Sequence, residues 1–266
     1  HCTWHEICQA HLKSNDEMME ISQRVSPKLS QTSNNIFLNE KLLARVKSIY
    51  DKKEQLNLST EDAKLLEDLY ESFKANGATL NKDDKEKYRK LSMDLSMLTL
   101  QFDQNALKDK NRFELLITDE NELSGLPESA RDAAAMLAKS KDKNGWLFNL
   151  SAPSYIPFMR YSDKRDLREK MYREYMSVGN KGDEFDNKDI IKKIVNIRLE
   201  IAQLMGFKNY AEYALEHTMA KNSANVYKLL NQLLEAYKPI AINEYNAVEG
   251  FALGTEKENI TVMPWD

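Results

Sequence analysis

Apolar residues recur at helical spacing along most of the chain, and the clearest run follows Asn81. Its members are separated by steps of three to five residues, close to a heptad seam: Tyr88, Leu91, Leu95, Leu98, Phe102 and Leu107. About 28 residues at 1.5 Å each predict a helix of roughly 40 Å that Asn81 caps. The seam is only two and a half heptads long, which favours the wall of a large helical domain over an independent coiled coil.

Three further helices are predicted before this run. Residues 3–25 are mostly helix formers, and Ser26-Pro27 is expected to end that helix, because a residue before proline avoids the α region. A second helix is expected from about Asn39 to Gln55. A third begins after Ser59, with Asp62 in a capping-box position, and Gly77 supplies its stop signal.

The middle of the chain changes character. Residues 113–118 partly alternate and predict a strand, residues 146–150 predict another, and an Ala-rich helix from Pro127 to Lys139 lies between them. Helical patterns then resume over residues 163–176, from a cap at Asp186 to Gly206, over 209–219 and over 222–251. The fold class is therefore predicted to be mainly α, a multi-helix domain with a small β insertion near 113–150.

Composition supports this class and narrows the function. Glycine and proline together contribute only 14 of 266 residues, fewer than an all-β chain uses in its turns. Basic and acidic residues number 38 and 42 and are interspersed, which argues against a nucleic-acid surface. The sequence contains no run of 18 apolar residues, the length that would predict a membrane span. The two cysteines, Cys2 and Cys8, provide no disulfide framework for the remaining chain, as expected in a reducing compartment.

Metal chemistry has weak support in the sequence. The stretch His5-Glu6 is followed by Gln9 where a zinc peptidase helix requires a second histidine. The residues Cys2, His5, Cys8 and His11 recur every three positions, but on one helix they rotate through about 180° and cannot converge on one ion. A buried cysteine with surface histidines is favoured, and a ligand pair shared with another segment is the alternative.

For three other candidate sites, a structural role is favoured over a functional one. His217 lies on a predicted amphipathic helix without a nearby His or Cys, and is interpreted as a packed or surface residue rather than a titrating functional group. The loop Gly179–Asp183 lacks a phosphate-binding motif and is interpreted as a helix–helix turn. The aromatic stretch Pro153–Tyr161 is interpreted as a junction that packs the sheet on the helices, with a ligand-binding cleft wall as the alternative.

Several blocks of the chain resemble a known family. They are Gly145–Leu150, Pro153–Met159, Arg165–Tyr172, Asp186–Ile191 and Leu204–Lys221. Together they resemble the zinc metallopeptidase family that comprises peptidyl-dipeptidase (dipeptidyl carboxypeptidase), oligopeptidase A and thimet oligopeptidase. The resemblance covers nearly the whole chain and is specific from about residue 90 onward.

The resemblance implies which part of such an enzyme this chain represents. Together with a start at His1 and an end at Asp266, it leads us to expect residues 1–266 to be the helical N-terminal, channel-wall part of a larger metallopeptidase, incomplete at both ends, with a sub-boundary near 111–152. Family members bind zinc through the two histidines of His-Glu-x-x-His and a later glutamate. None of these positions exists here, so no catalytic, cofactor-binding or metal-binding residue is assigned.

The implied activity is that of the parent protein. It is expected to hydrolyse short peptides by metal-activated water, either as a carboxypeptidase-like peptidyl-dipeptidase or as an endo-oligopeptidase, with zinc bound by the parent and not by this chain. Its partners would be short peptides and the C-terminal catalytic half, with no nucleic acid and no membrane. The cytoplasm is the expected location and the periplasm the alternative. A non-catalytic helical scaffold or interaction module is the alternative function.

Overall fold

A computed structural model describes residues 16–255 and 261–266 of the chain. Those residues form ten α-helices and one two-stranded antiparallel sheet, which confirms the predicted mainly-α class with a small β insertion. The helices are α1 (Asp16–Phe37), α2 (Glu40–Tyr50), α3 (Thr60–Ala75), α4 (Lys82–Arg112), α5 (Glu128–Ser140), α6 (Ala152–Tyr161), α7 (Arg165–Met176), α8 (Lys188–Leu204), α9 (Tyr210–Leu215) and α10 (Ser223–Thr255). The strands are β1 (Leu115–Ile117) and β2 (Trp146–Phe148), and short 3₁₀ turns occupy Lys53–Gln55 and Glu120–Leu123.

The predicted helix caps of α3 and α4 are confirmed. The Ser59 hydroxyl accepts the backbone N–H of Asp62 at 3.1 Å and donates to the Asp62 carboxylate at 2.7 Å. Gly77, just beyond the end of α3, has φ +80°, the left-handed conformation that glycine adopts without strain. The side chain of Asn81 accepts the N–H of Asp84 at 2.9 Å at the start of α4. Local chemistry alone therefore fixes these boundaries.

The predicted end of the first helix at Ser26-Pro27 is wrong, because α1 continues through Pro27 to Phe37. Residues 3–15 of the predicted helix lie outside the described part of the chain. Pro27 cannot donate a backbone hydrogen bond. Side-chain bonds to α4 hold α1 on both sides of the proline and offset that loss: Gln23 to Gln104 (2.7 Å), Ser26 to Ser96 (2.8 Å), and Asn34 to Ser92 (2.8 Å).

Two helix boundaries after residue 180 also differ from prediction. Helix α8 begins at Lys188 instead of directly after Asp186. The Asp186 carboxylate accepts the N–H groups of both Gly182 (2.6 Å) and Lys188 (2.9 Å), so it closes the preceding loop as well as the helix start. Helix α9 ends at Leu215, four residues before the predicted end at Met219.

The chain divides into two compact units, and the first comprises residues 16–104 and 189–225 of the described chain. Its core has two clusters. One joins α4 and α8 through Tyr88, Leu91 and Ile201, and includes Leu38, which directly follows α1. The other joins α2 and α3 through Val46 and Phe73, with Ala78 beside them. The first of these clusters thus requires α8, which begins more than 80 residues after Gln104, where the first stretch of this unit ends.

The second unit comprises residues 105–188 together with 226–255 and 261–266. Its core is built on the sheet, in which Leu115 pairs with Phe148 and Ile117 with Trp146. Phe158 of α6 and Met171 of α7 are fully buried in the same cluster. Gly145 has φ +111°, and a Cβ there would approach the Ile117 carbonyl oxygen to 2.3 Å, so the turn into β2 requires glycine.

Candidate functional site

The histidines and cysteines of the chain form no metal site within the described residues. Cys2, His5, Cys8 and His11 lie outside them. No group of three or more His, Cys, Asp or Glu side chains that could hold a metal occurs in residues 16–255 and 261–266. These residues therefore do not fit the zinc ion that the family resemblance implies.

His217 is a surface residue, as the sequence indicated, but its predicted place on a helix is wrong. It lies in the turn after α9, with its Nε2 atom 3.4 Å from the Glu216 carboxylate. The backbone N–H of Thr218 bonds to the carbonyl of Leu215, three residues back, at 3.0 Å. This tighter bond ends the helical pattern before the histidine.

The aromatic stretch Pro153–Tyr161 forms most of α6 and packs the sheet against the helices, which confirms the structural interpretation. Phe158 meets Phe148 of β2 edge to face, with ring centroids 4.8 Å apart. Tyr155 stacks on Tyr175 of α7 at 4.3 Å. Such aromatic pairs add directional packing to apolar burial.

A small apolar cavity of about 140 Å³ opens where the first turn of α6 meets α5 and β2. Its wall comprises Ala130, Ala133, Ala134, Leu137, Leu147, Phe148, Ser151, Pro153 and Ser154. No acid, base or histidine of the described chain lines it, so it offers space for an apolar group and no general acid–base chemistry.

The most deeply buried charged group in the described chain is Asp109, in the last turn of α4. Its side chain is fully buried and accepts the backbone N–H of Gly179 at 2.7 Å. Arg112 lies 2.6 Å and Lys181 3.2 Å from the same carboxylate. A buried carboxylate requires such partners, because desolvating an unpaired charge is costly. Asp109 thereby ties the loop between α7 and α8 to the end of α4.

Further ion pairs extend this cluster to the surface. Arg112 also bonds the Asp183 carboxylate, and that bond lowers the pKa of Asp183. Burial alone would lower the pKa of Lys181, but hydrogen bonds to Glu174 and Asp109 outweigh it, so the pKa is raised. Each of the charged side chains in this cluster has at least one oppositely charged partner in the protein. The arrangement therefore fixes the loop and does not present a free acid or base.

Sequence reasoning missed Asp109, although the heptad pattern contained a signal. Continuing the steps of three and four from Phe102 leads to Asn105 and then to Asp109, two polar residues in seam positions. Asn105 donates to the Asn187 side chain at 3.1 Å, so both polar seam residues bond the loop between α7 and α8. The interpretation of that loop as a plain helix–helix turn omitted this anchoring.

A second anchor holds residues 261–266 against α7. Arg165 donates two hydrogen bonds to the Asp266 carboxylate, at 2.7 and 2.8 Å, and Arg168 donates to the Trp265 carbonyl at 2.6 Å. The bonds from Arg165 lower the pKa of Asp266. The Trp265 ring is 5% exposed and lies under the Arg173 guanidinium, 4.8 Å away. The two bonds between Arg165 and Asp266 form a bidentate ion pair, whose geometry fixes residues 261–266 against α7.

Comparison with known proteins identifies the family. Residues 158–266 match the model of peptidase family M3. Oligopeptidase A of Salmonella typhimurium strain LT2 is 33% identical over 262 residues, which cover 96% of this chain and 38% of that protein. The chain belongs to peptidase family M3. The family match begins at Phe158 and includes the anchor of residues 261–266, whereas Asp109 precedes it.

Two other relatives match the chain to a similar extent. The probable cytosolic oligopeptidase A of Arabidopsis thaliana is 32% identical over 91% of this chain and 35% of its own length. The dipeptidyl carboxypeptidase of Escherichia coli K12 is 29% identical over 95% of this chain and 37% of its own length. The chain thus spans less than two fifths of the length of these relatives.

Proposed function

We propose that this chain is part of a zinc-dependent peptidase that hydrolyses short peptides. The observation that carries the proposal is the 33% identity to a protein named oligopeptidase A over 96% of the chain. Similarity to a dipeptidyl carboxypeptidase over nearly the same extent supports the same reaction class, hydrolysis of peptide bonds. No helix in the described residues is both long and apolar enough to cross a membrane.

In this proposal, the zinc ligands and the catalytic base lie in the region of the longer protein that this chain does not cover. The 266 residues contain no His-Glu-x-x-His sequence. The described residues contain no group of three or more His, Cys, Asp or Glu side chains that could hold a metal ion. The chain by itself is therefore proposed to be inactive and to act as a helical framework for a catalytic region of the same polypeptide.

The positions of the two anchoring ion-pair clusters in the described chain support this framework role. Asp109 and the pair Arg165–Asp266 both fix loops or extended segments to helices. Such bonds hold backbone geometry, which a peptide-binding enzyme needs in order to orient its substrate. We propose that the protein acts in the cytoplasm, as the description of its Arabidopsis relative as a probable cytosolic oligopeptidase A supports.

The test begins with the coding DNA beyond the codon for Asp266. An open frame that reaches His-Glu-x-x-His, followed by a glutamate on the next predicted helix, is the expected result. The full product should contain about one zinc per chain and cleave short synthetic peptides, and a chelator should abolish the cleavage. Mass spectrometry of the products separates release of C-terminal dipeptides from internal cleavage.

The 266-residue chain is the matched control and should bind no stoichiometric zinc and cleave no peptide. Peptide cleavage by that chain alone would contradict the assignment of chemistry to the region beyond it. A stop codon directly after Asp266 would contradict the proposal and leave the helical scaffold as the function.

A further inference from the structure

The sequence contains two asparagines that directly precede a glycine, Asn76 before Gly77 and Asn144 before Gly145. Such pairs are chemically labile, because the backbone nitrogen of the glycine can attack the side-chain amide of the asparagine, and no Cβ on the glycine hinders the approach. Whether a pair reacts in the folded protein depends on how firmly its atoms are held. The two pairs of this chain differ in that respect.

The first pair is held at the end of α3. The Asn76 side chain donates from Nδ2 to the Ser72 carbonyl at 2.8 Å. The Gly77 N–H, whose nitrogen would have to attack, donates to the Lys74 carbonyl at 3.1 Å, and Gly77 is buried. The reaction at Asn76 therefore requires the helix end to open and both hydrogen bonds to break.

The second pair lies at the surface, in the turn that leads into β2. Asn144 is exposed, and its side chain has no hydrogen bond to any group of the described chain. The Gly145 N–H takes part in none of the backbone hydrogen bonds found in the turns and loops of residues 16–255 and 261–266. The two reacting groups of this pair can therefore meet without the loss of a protein hydrogen bond, and water reaches them.

We propose that Asn144 is a site of spontaneous deamidation in the folded protein, with water as the co-reactant. The Gly145 nitrogen forms a bond to Cγ of Asn144 and closes a cyclic imide. The bond from Cγ to the side-chain nitrogen breaks, and that nitrogen leaves as ammonia with the proton of the Gly145 N–H. Water then opens the imide at one of its two carbonyls and gives aspartate or isoaspartate. This inference does not rest on the proposed function.

The isoaspartate product should disturb the sheet. Its main chain runs through the former side chain, which places an additional CH₂ group directly before Gly145. A Cβ on Gly145 would approach the Ile117 carbonyl oxygen to 2.3 Å, so the turn passes very close to β1. The next residue, Trp146, pairs with Ile117. The longer main chain shifts Gly145 relative to Ile117 and weakens this end of the sheet, whereas the aspartate product keeps the main chain unchanged.

Peptide mapping of the complete product of the coding DNA tests the proposal. The folded protein is aged in mildly alkaline buffer and digested with pepsin in acid, and mass spectrometry locates the mass gain of an amide converted to a carboxylic acid. The gain at Asn144 should appear on the order of tenfold faster than at Asn76, because the hydrogen bonds of the first pair must open before it reacts. No gain at Asn144, or equal rates at the two sites, would overturn the proposal.

Unfolding and substitution provide the matched controls. In guanidinium chloride both pairs lose their surroundings, so their rates should converge. Asn144→Gln should abolish the gain at this position, because the longer side chain must close a larger ring, and Asn76→Gln should leave the rate at Asn144 unchanged. A difference between the two sites that persists in the unfolded protein would assign the selectivity to the neighbouring sequence and overturn the structural argument.

The effect on the sheet has a separate measurement. A methyltransferase that labels isoaspartyl carboxylates, supplied with S-adenosylmethionine, should label the aged protein and not the aged Asn144→Gln variant. The labelled protein should unfold at a lower urea concentration than the unaged protein. Asn144→Asp, which carries the new charge without the additional CH₂ group, should unfold at the same concentration as the unaged protein. An equal loss in Asn144→Asp would assign the effect to charge and overturn the main-chain effect.

Discussion

The two longest helices of the chain differ in the surroundings that their sequences require. Helix α4 has 31 residues, of which 14 are charged, and α10 has 33, of which five are charged. Yet α4 contributes Tyr88 and Leu91 to a core within the described chain, whereas α10 exposes nearly all of its large apolar side chains. Length alone thus says little about the environment of a helix.

The comparison teaches that the apolar residues of a long helix are buried only where a neighbouring helix meets them. The apolar residues of α4 form a narrow seam, and its polar residues bond α1 through Ser92, Ser96 and Gln104. A narrow seam and a few hydrogen bonds can be satisfied by a single neighbouring helix on each side. On α10, by contrast, twelve large apolar side chains are between 43% and 72% exposed in the described chain.

The sharpest test of this contrast compares one leucine from each helix in the 266-residue chain. Leu91→Ala should lower the free energy of unfolding by about 2–4 kcal/mol, because it leaves a cavity in the core of the first unit. Leu230→Ala, in a side chain that is 51% exposed, should change it by less than about 0.5 kcal/mol. Urea unfolding followed by circular dichroism measures both. Equal losses would show that α10 is packed within this chain.

The buried charge at the end of α4 should give the next largest effect. Asp109→Asn removes a carboxylate that accepts from Gly179, Arg112 and Lys181, and should cost about 2 kcal/mol. This is below the 3–5 kcal/mol typical of a fully buried pair, because the side chains of both cations reach water.

The control for this change is Asp189→Asn, which removes an exposed ion pair with Lys192. It should change the free energy of unfolding by less than about 0.5 kcal/mol in the same urea titration. A loss at Asp189 as large as that at Asp109 would show that burial does not set the strength of these pairs.

The polar contact between α1 and α4 should be weaker still. Asn34→Ala removes a hydrogen bond to Ser92 from a side chain that is only 6% exposed, and should cost about 1 kcal/mol. Thr32→Ala, on the exposed side of α1, is the matched control and should be nearly neutral. Thermal unfolding of both variants provides the measurement. An unchanged unfolding midpoint for Asn34→Ala would show that the Asn34–Ser92 hydrogen bond does not help to hold α1 on α4.

The smallest effect is expected from pH acting on the anchor at Asp266. Arg165 holds the folded-state pKa of Asp266 below its ordinary value of 3.8. The stabilisation is therefore complete above about pH 4 and is lost as pH falls through the lowered pKa. The indole N–H resonance of Trp265 should shift in that acidic range, and Asp266→Asn should abolish the shift. A shift that persists in the variant would assign the titration to another group.

Prediction from sequence succeeded where the deciding contacts are local. The caps at Ser59 and Asn81 and the stop at Gly77 involve residues within one turn of each other, so their identities suffice. It failed at Pro27, because the bonds that carry α1 past the proline come from residues 58 to 81 positions away. No local pattern reveals such partners.

The buried cluster around Asp109 could be predicted only in part. The heptad steps point to Asn105 and Asp109, but the apolar residue Leu107 drew the pattern off its register. A polar residue in a seam position is a recognisable signal, whereas its partners in the loop at Gly179 and Asn187 depend on the tertiary fold. Likewise the composition of α10 was readable from the sequence, and its exposure required the structure.

The placement of Ile201 beside Tyr88 and Leu91 has a consequence for synthesis on the ribosome. About 110 residues separate Leu91 from Ile201, and at 5–20 residues per second their translation takes roughly 5–20 s. During that interval the first unit lacks a helix that its core requires, while the sheet and its helices, contiguous over residues 105–188, can already assemble. The internal segment can therefore fold before α8 is synthesised, while Tyr88 and Leu91 of α4 still lack the helix that completes their cluster and can be bound by chaperones.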